Sequence, residues 1–85
     1  MAKYSVEINK KARKSLDKLS DFIVAPILTA IADLSDDPRP QGYRKLKGRK
    51  GYRIRVGDYR VIYEIFDNIL LIEVVDLGHR KDIYD

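Results

Sequence analysis

Three runs of strand composition, Tyr52 to Val56, Tyr59 to Phe66 and Ile69 to Asp76, are separated each time by two residues, Gly57-Asp58 and then Asp67-Asn68. Loops of this length and composition close antiparallel hairpins and fix which residues face each other. A slip of one residue would turn every side chain to the opposite face, so the two turns constrain the architecture more than any other feature. The first hairpin sets Val56 opposite Tyr59, Ile54 opposite Val61, and Tyr52 opposite Tyr63. The second, with its own two-residue loop, adds Ile65 opposite Leu70, Tyr63 opposite Ile72, and Val61 opposite Val74. This face is apolar and needs a cover. On the other face Arg55 falls opposite Arg60, with Arg53 two residues along. Like charges directly opposed on a sheet cost from a few tenths to about 1 kcal/mol.

The first half of the chain supplies the cover. Tyr4, Val6 and Ile8 alternate with Ser5 and Glu7, which predicts a half-buried strand. Asn9 follows as a helix N-cap. Ala12, Leu16 and Leu19 recur at helical spacing, and Lys10, Lys11, Arg13, Lys14 and Lys18 fill the solvated faces. Ile23, Ile27, Ile31 and Leu34 form a second apolar stripe. Pro26 has no N–H to donate, so the second helix is expected to start near it or to kink there. The stretch Asp36-Asp37-Pro38-Arg39-Pro40-Gln41-Gly42 ends the helical half, and a short strand around Lys45 to Lys47 is expected before the meander. The expected fold is α+β: an N-terminal strand, then two helices packed on one face of a three- to five-stranded, mainly antiparallel sheet, in a single domain over residues 1–85.

Composition narrows the chemistry. There is no cysteine and one histidine, His79, so neither a thiolate site nor a multi-histidine metal site can form. No glycine-rich phosphate loop and no carboxylate cluster at metal spacing is present, and neither metal nor small-molecule cofactor is expected. The chain opens directly into an alternating pattern, and its longest apolar run, Phe22 to Ala32, is too short to cross a bilayer. A cytoplasmic protein without a membrane partner is the expectation.

Charge points to the partner. Between Arg39 and Arg60 lie nine basic residues and one acid, Asp58; the rest of the chain carries eight basic residues and twelve acids. The net charge of +4 therefore hides a segment of about +8 against a remainder of about −4. Folding gains nothing from such crowding; a polyanion does, and nucleic acid is the first candidate. Lys45, Lys47, Arg49, Lys50, His79 and Lys81 are candidate RNA-binding residues; His79 reads more readily as a polar loop residue. Arginine, lysine, tyrosine and one histidine suffice to cleave RNA, because the 2′-hydroxyl is a built-in nucleophile. The protein has to align it, stabilise the charge that accumulates on the phosphate, and assist the leaving oxygen. Guanidinium forks match phosphate oxygens, although arginine is a poor base. His79 or Lys81 can shuttle a proton, and Tyr84 can stack on a base or pack on the core. On the arginine side, Ile62, Phe66, Ile69, Leu71 and Val75 are too apolar for free solvent, and a partner or the C-terminal segment is expected to cover part of them.

The runs Lys45-Leu46-Lys47-Gly48, Tyr52 to Tyr63 and Gly78-His79-Arg80-Lys81-Asp82-Ile83-Tyr84, with the Asp37-Pro38-Arg39-Pro40 boundary, resemble the RelE branch of the RelE/ParE toxin superfamily over nearly the whole chain. The resemblance implies a toxin of a type II toxin–antitoxin pair that cuts mRNA in the ribosomal A site. The cut follows 2′-hydroxyl attack and leaves a 2′,3′-cyclic phosphate. It implies a RelB-like cognate antitoxin, with the ribosome and mRNA as further partners. By position it assigns Arg53 and Arg55 to the family's pair of basic residues and Arg60 to its phosphate-binding arginine. Arg80 matches the arginine implicated in leaving-group protonation, and Tyr84 the base-stacking tyrosine. Two other functions fit the same residues: inhibition of DNA gyrase in the manner of ParE toxins, and nucleic-acid binding without cleavage.

Overall fold

The computed structural model describes residues 3–83, in which β1 (Ser5–Ile8), α1 (Lys10–Asp17) and α2 (Asp21–Asp33) precede β2 (Arg44–Lys45), β3 (Tyr52–Val56), β4 (Tyr59–Phe66) and β5 (Leu71–His79). The strands form one sheet in the order β1-β5-β4-β3-β2. β1 runs parallel to β5, and all other pairs are antiparallel. Two helices on a five-stranded mixed sheet match the expected architecture.

The helices form where the sequence places them. The Asn9 side chain accepts the Ala12 N–H at 2.9 Å, satisfying one of the donors orphaned at the start of α1. Ala12 and Leu16 are buried below it. α2 does not start near Pro26: it begins at Asp21 and carries the proline inside, on its exposed side. Ile27, Ile31 and Leu34 are buried, and Ile23 packs at their edge. They meet Ile54, Val61, Tyr63, Ile72, Val74 and Leu77 from the sheet in one core. Below the helices Tyr63 is fully buried, and its hydroxyl donates to the Pro38 carbonyl at 2.7 Å. That bond anchors the chain leaving α2 to the middle of β4.

The first hairpin has the predicted register: Val56 opposes Tyr59, Ile54 opposes Val61, and Tyr52 opposes Tyr63. Gly57 adopts φ +60 at the first turn position, which an L-residue rarely tolerates. The second hairpin corrects the prediction. Its loop is not the pair Asp67-Asn68 but a 3-10 turn, Asp67–Ile69, followed by Leu70 at φ 52. Ile65 therefore opposes Ile72 and Tyr63 opposes Val74, two residues further along β5 than predicted. The shift is even, so the faces of this part of the sheet are as expected. A bulge at Ile62/Tyr63 then changes the register again, and Val61 opposes Leu77. The short strand β2 also lies earlier than expected, at Arg44–Lys45, so Lys47 belongs to the following loop.

The hydroxyl of Tyr63 sets a first prediction. Tyr63→Phe leaves the Pro38 carbonyl buried without its donor, and it should lower the unfolding free energy by about 1–2 kcal/mol in denaturant titrations. An unchanged midpoint would mean that the bond does not hold this loop.

Candidate nucleic-acid interface

The helix-free side of the sheet gathers arginines through strand pairing. Arg55 on β3 lies directly opposite Arg60 on β4. Arg53, two residues along β3, shares that face, and Arg44 on β2 lies directly opposite it. Four arginines on three adjacent strands thus share one face. Arg44 was not among the expected site residues; the signal was a strand placed too late in the sequence, which hid its register with Arg53. Arg55 is exposed and has no hydrogen-bond or ion-pair partner among the described residues. Arg53 is 9% exposed, packed between its neighbours.

Arg60 is half-buried, and its Nη1 donates to the Ile83 carbonyl at 3.0 Å. Arg80 follows directly after β5. Its backbone N–H donates to the Asp58 carbonyl at 2.8 Å, which docks the start of the C-terminal segment on the β3–β4 turn. The Arg80 Nε is 3.8 Å from Asp58 Oδ1, with both side chains largely exposed. An exposed pair at that separation is weak and leaves the guanidinium available. The C-terminal segment thus curls back to the arginine face, as expected. Ile83 packs over Gly78, opposite Arg60 in the sheet. Part of the apolar strip on this side is covered: Ile62 is fully buried, whereas Ile69 remains 62% exposed. Tyr84 lies outside the described residues.

Other predicted residues are not brought to this face. His79 pairs with Tyr59 on the helix side, its ring edge-on at 5.4 Å. There it lines a hollow with Phe22, Ile23 and Pro26. The Lys81 N–H donates to His79 Nδ1 at 3.2 Å. Lys45 also lies off the arginine face, with its ammonium 5.9 Å from the Tyr52 ring centre. Lys47, Arg49 and Lys50 are exposed in the β2–β3 loop, and Lys81 in the turn after β5. The β2–β3 loop enters β3 at its Tyr52 end, whereas Arg55 lies next to its Val56 end. Two basic zones result, the arginine face at one end of β3 and the loop at the other.

Not every cation in the basic segment belongs to them. Arg39 makes a forked pair with Asp67, Nη2 to Oδ2 at 2.9 Å and Nη1 to Oδ1 at 3.4 Å. The Tyr4 hydroxyl donates to the same carboxylate. The Arg39 hydrogen bond, then that of Tyr4, holds the Asp67 carboxyl below its ordinary range, and the Asp67 bond raises Arg39. Arg39 is thus a structural cation that ties the loop after α2 to the β4–β5 turn.

Comparison with known proteins agrees with the fold. Residues 6–84 match the family model described as the ParE toxin of type II toxin–antitoxin systems, parDE. The chain is 35% identical over 85 residues to the toxin RelG of Mycobacterium tuberculosis, covering 95% of each. The chain belongs to the RelE/ParE toxin family. Among solved structures, the RelBE2 toxin–antitoxin complex of M. tuberculosis superposes with a TM-score of 0.82 at 31% identity, covering 94% of each chain. The archaeal RelE–RelB complex of Pyrococcus horikoshii gives a TM-score of 0.82 at 31% identity, covering 95% of this chain and 99% of the other. This is a RelE-type toxin of a type II toxin–antitoxin system.

The Asp67 cluster gives the toxin a pH signature. A carboxylate with a depressed pKa contributes stability that is present above its unfolded value and lost as pH falls through the folded one. The stability gap between wild type and Asp67→Asn should be open at about pH 7 and should close as pH drops below about 4. Thermal melts across this range check it, and a gap that stays constant down to about pH 2 would contradict the depressed carboxyl.

Proposed function

We propose that this toxin is an endoribonuclease that cuts mRNA on the ribosome by 2′-hydroxyl attack on the adjacent phosphate, leaving a 2′,3′-cyclic end. The observation that carries this reading is the opposition of Arg55 and Arg60 on the helix-free face, with Arg53 and Arg44 beside them. The exposed guanidiniums of Arg44 and Arg55 each present a planar fork that two phosphate oxygens can accept. As the 2′-oxygen adds, a second negative charge builds on the phosphate, and cations already in place stabilise it without reorganising. Arg60 is assigned to the phosphate. Arg53 and Arg55 align the attacking strand. Arg80, held at the edge of the same face by the Asp58 carbonyl, stands by the leaving 5′-oxygen. Tyr84, the residue after the one that Arg60 holds, is assigned to stacking on the base.

The exposed loop residues Lys47, Arg49 and Lys50, with Lys81, then serve as sequence-independent phosphate contacts for RNA beyond the cut. A RelB-type antitoxin is the proposed inhibitor, as in the RelE–RelB complexes whose toxin chains this one resembles. The activity belongs to the cytoplasm, where translating ribosomes are. Among the described residues no helix is long and apolar enough to cross a membrane.

The test is primer-extension mapping of mRNA on translating ribosomes. Wild type should give codon-phased cuts. Arg60→Ala should lose about 1–3 kcal/mol of phosphate stabilisation, a roughly ten- to hundredfold slower cleavage, with the fold intact. Cuts that are absent, or indifferent to both Arg60→Ala and Arg80→Ala, would overturn the reading. Inhibition of purified gyrase supercoiling without RNA cleavage would replace it with the ParE-type activity.

A further inference from the structure

Gly78 and Ile83 clasp the C-terminal segment onto the arginine face, and we propose that they are positioning residues for the Arg60 guanidinium. This inference rests on the role given to Arg60 above.

Gly78 lies inside β5 directly opposite Arg60. A glycine inside a strand normally weakens it. The backbone does not demand one here, because Gly78 is not among the residues with positive φ. The demand comes from above. A Cβ at this position would stand 2.9 Å from Ile83 Cγ1 and 3.2 Å from its Cδ1. The missing side chain is thus the seat for Ile83. The chain reaches that seat by a tight turn in which the N–H groups of Asp82 and Ile83 both donate to the His79 carbonyl, at 2.7 and 3.2 Å. The Arg80 N–H pins the start of the turn to Asp58 at 2.8 Å.

The consequence is where the Ile83 carbonyl ends up, 3.0 Å from Arg60 Nη1. An arginine side chain has many rotamers, and its ordering before the substrate arrives is a cost removed from the reaction. The acceptor is a neutral carbonyl, so this contact holds the guanidinium without cancelling its charge. Filling the seat at Gly78 should lift Ile83, withdraw the carbonyl, and leave Arg60 less well placed.

The experiment uses the full-length toxin with Gly78→Ala, Ile83→Ala and the double variant. Two readouts are taken: side-chain NMR of the Arg60 guanidinium in the free toxin, and single-turnover cleavage on programmed ribosomes. Gly78→Ala should remain folded, with the 2.9 Å approach to Ile83 relieved by displacement of the C-terminal segment. It should nonetheless lose the slowed Arg60 Nη–H exchange. Its cleavage rate constant should fall about ten- to hundredfold, with ribosome affinity unchanged. Ile83→Ala should fall as well, and the double variant should be no worse than Ile83→Ala, because both changes break one contact. If Gly78→Ala does not fold, Ile83→Ala carries the test alone. Wild-type cleavage and exchange in the single variants, or effects that simply add in the double one, would overturn the inference. An inactive wild-type toxin would refute the proposed activity instead, and the Arg60 exchange would still decide whether the clasp exists.

Discussion

The register between β3 and β4 is the constraint on which the rest of the molecule depends. The turn at Gly57-Asp58 sets it within two residues, because a positive φ at the first position closes the strands with the twist they already have. Everything on the two faces then follows by alternation. Ile54, Val61 and Tyr63 go under the helices, and Arg53, Arg55 and Arg60 go to the other side. Slippage by one residue would put the arginines in the core and the core in water, so folding and site assembly are enforced by the same pairing.

That pairing carries a cost in like-charge repulsion, and the toxin distributes its remaining cations differently. Lys11 meets the buried Asp76 at 3.2 Å, Lys3 meets Asp36 at 3.5 Å, and Arg39 forks onto Asp67. Those cations act within the fold. On the sheet face, Arg60 rests on a carbonyl, and Arg55 stands exposed opposite it. Arg55, exposed and without an ion-pair partner among the described residues, keeps its charge after folding and is suited to drawing in a polyanion, an attraction that weakens with salt.

How much of this was legible in the sequence depended on whether the deciding interaction was local. The first hairpin was readable because its turn type is written in two adjacent residues. The N-cap at Asn9 and the stripe from Ile23 to Leu34 were readable for the same reason. The second hairpin was not. Asp67-Asn68 looks like a tight turn, but Asp67 is bound to Tyr4, just before β1, and to Arg39 in the loop after α2. The turn widens to a 3-10 loop with Leu70 in the left-handed region. Those long-range partners leave no local pattern. Arg44 was missed through a strand placed late, and His79 was read as following the last strand because the bulge that sets it inside β5 opposite Tyr59 has no sequence signature.

The bulge at Ile62/Tyr63 joins the core to the site. Had the register of Tyr63 with Val74 continued, Asp76 would oppose Val61 inside the core and Leu77 would oppose Arg60 on the charged face. A carboxylate would then sit among aliphatic side chains and a leucine among guanidiniums, both unfavourable. One extra residue in β5 reverses both. Leu77 turns inward and is 2% exposed, while Asp76 keeps Lys11 and the Leu77 N–H as partners. The same reversal brings Gly78, the one residue of β5 without a side chain, opposite Arg60. The space for Ile83 over the arginine face therefore exists because the core required the bulge. Core packing at Leu77 and the placement of Arg60 are two consequences of one irregularity in the sheet.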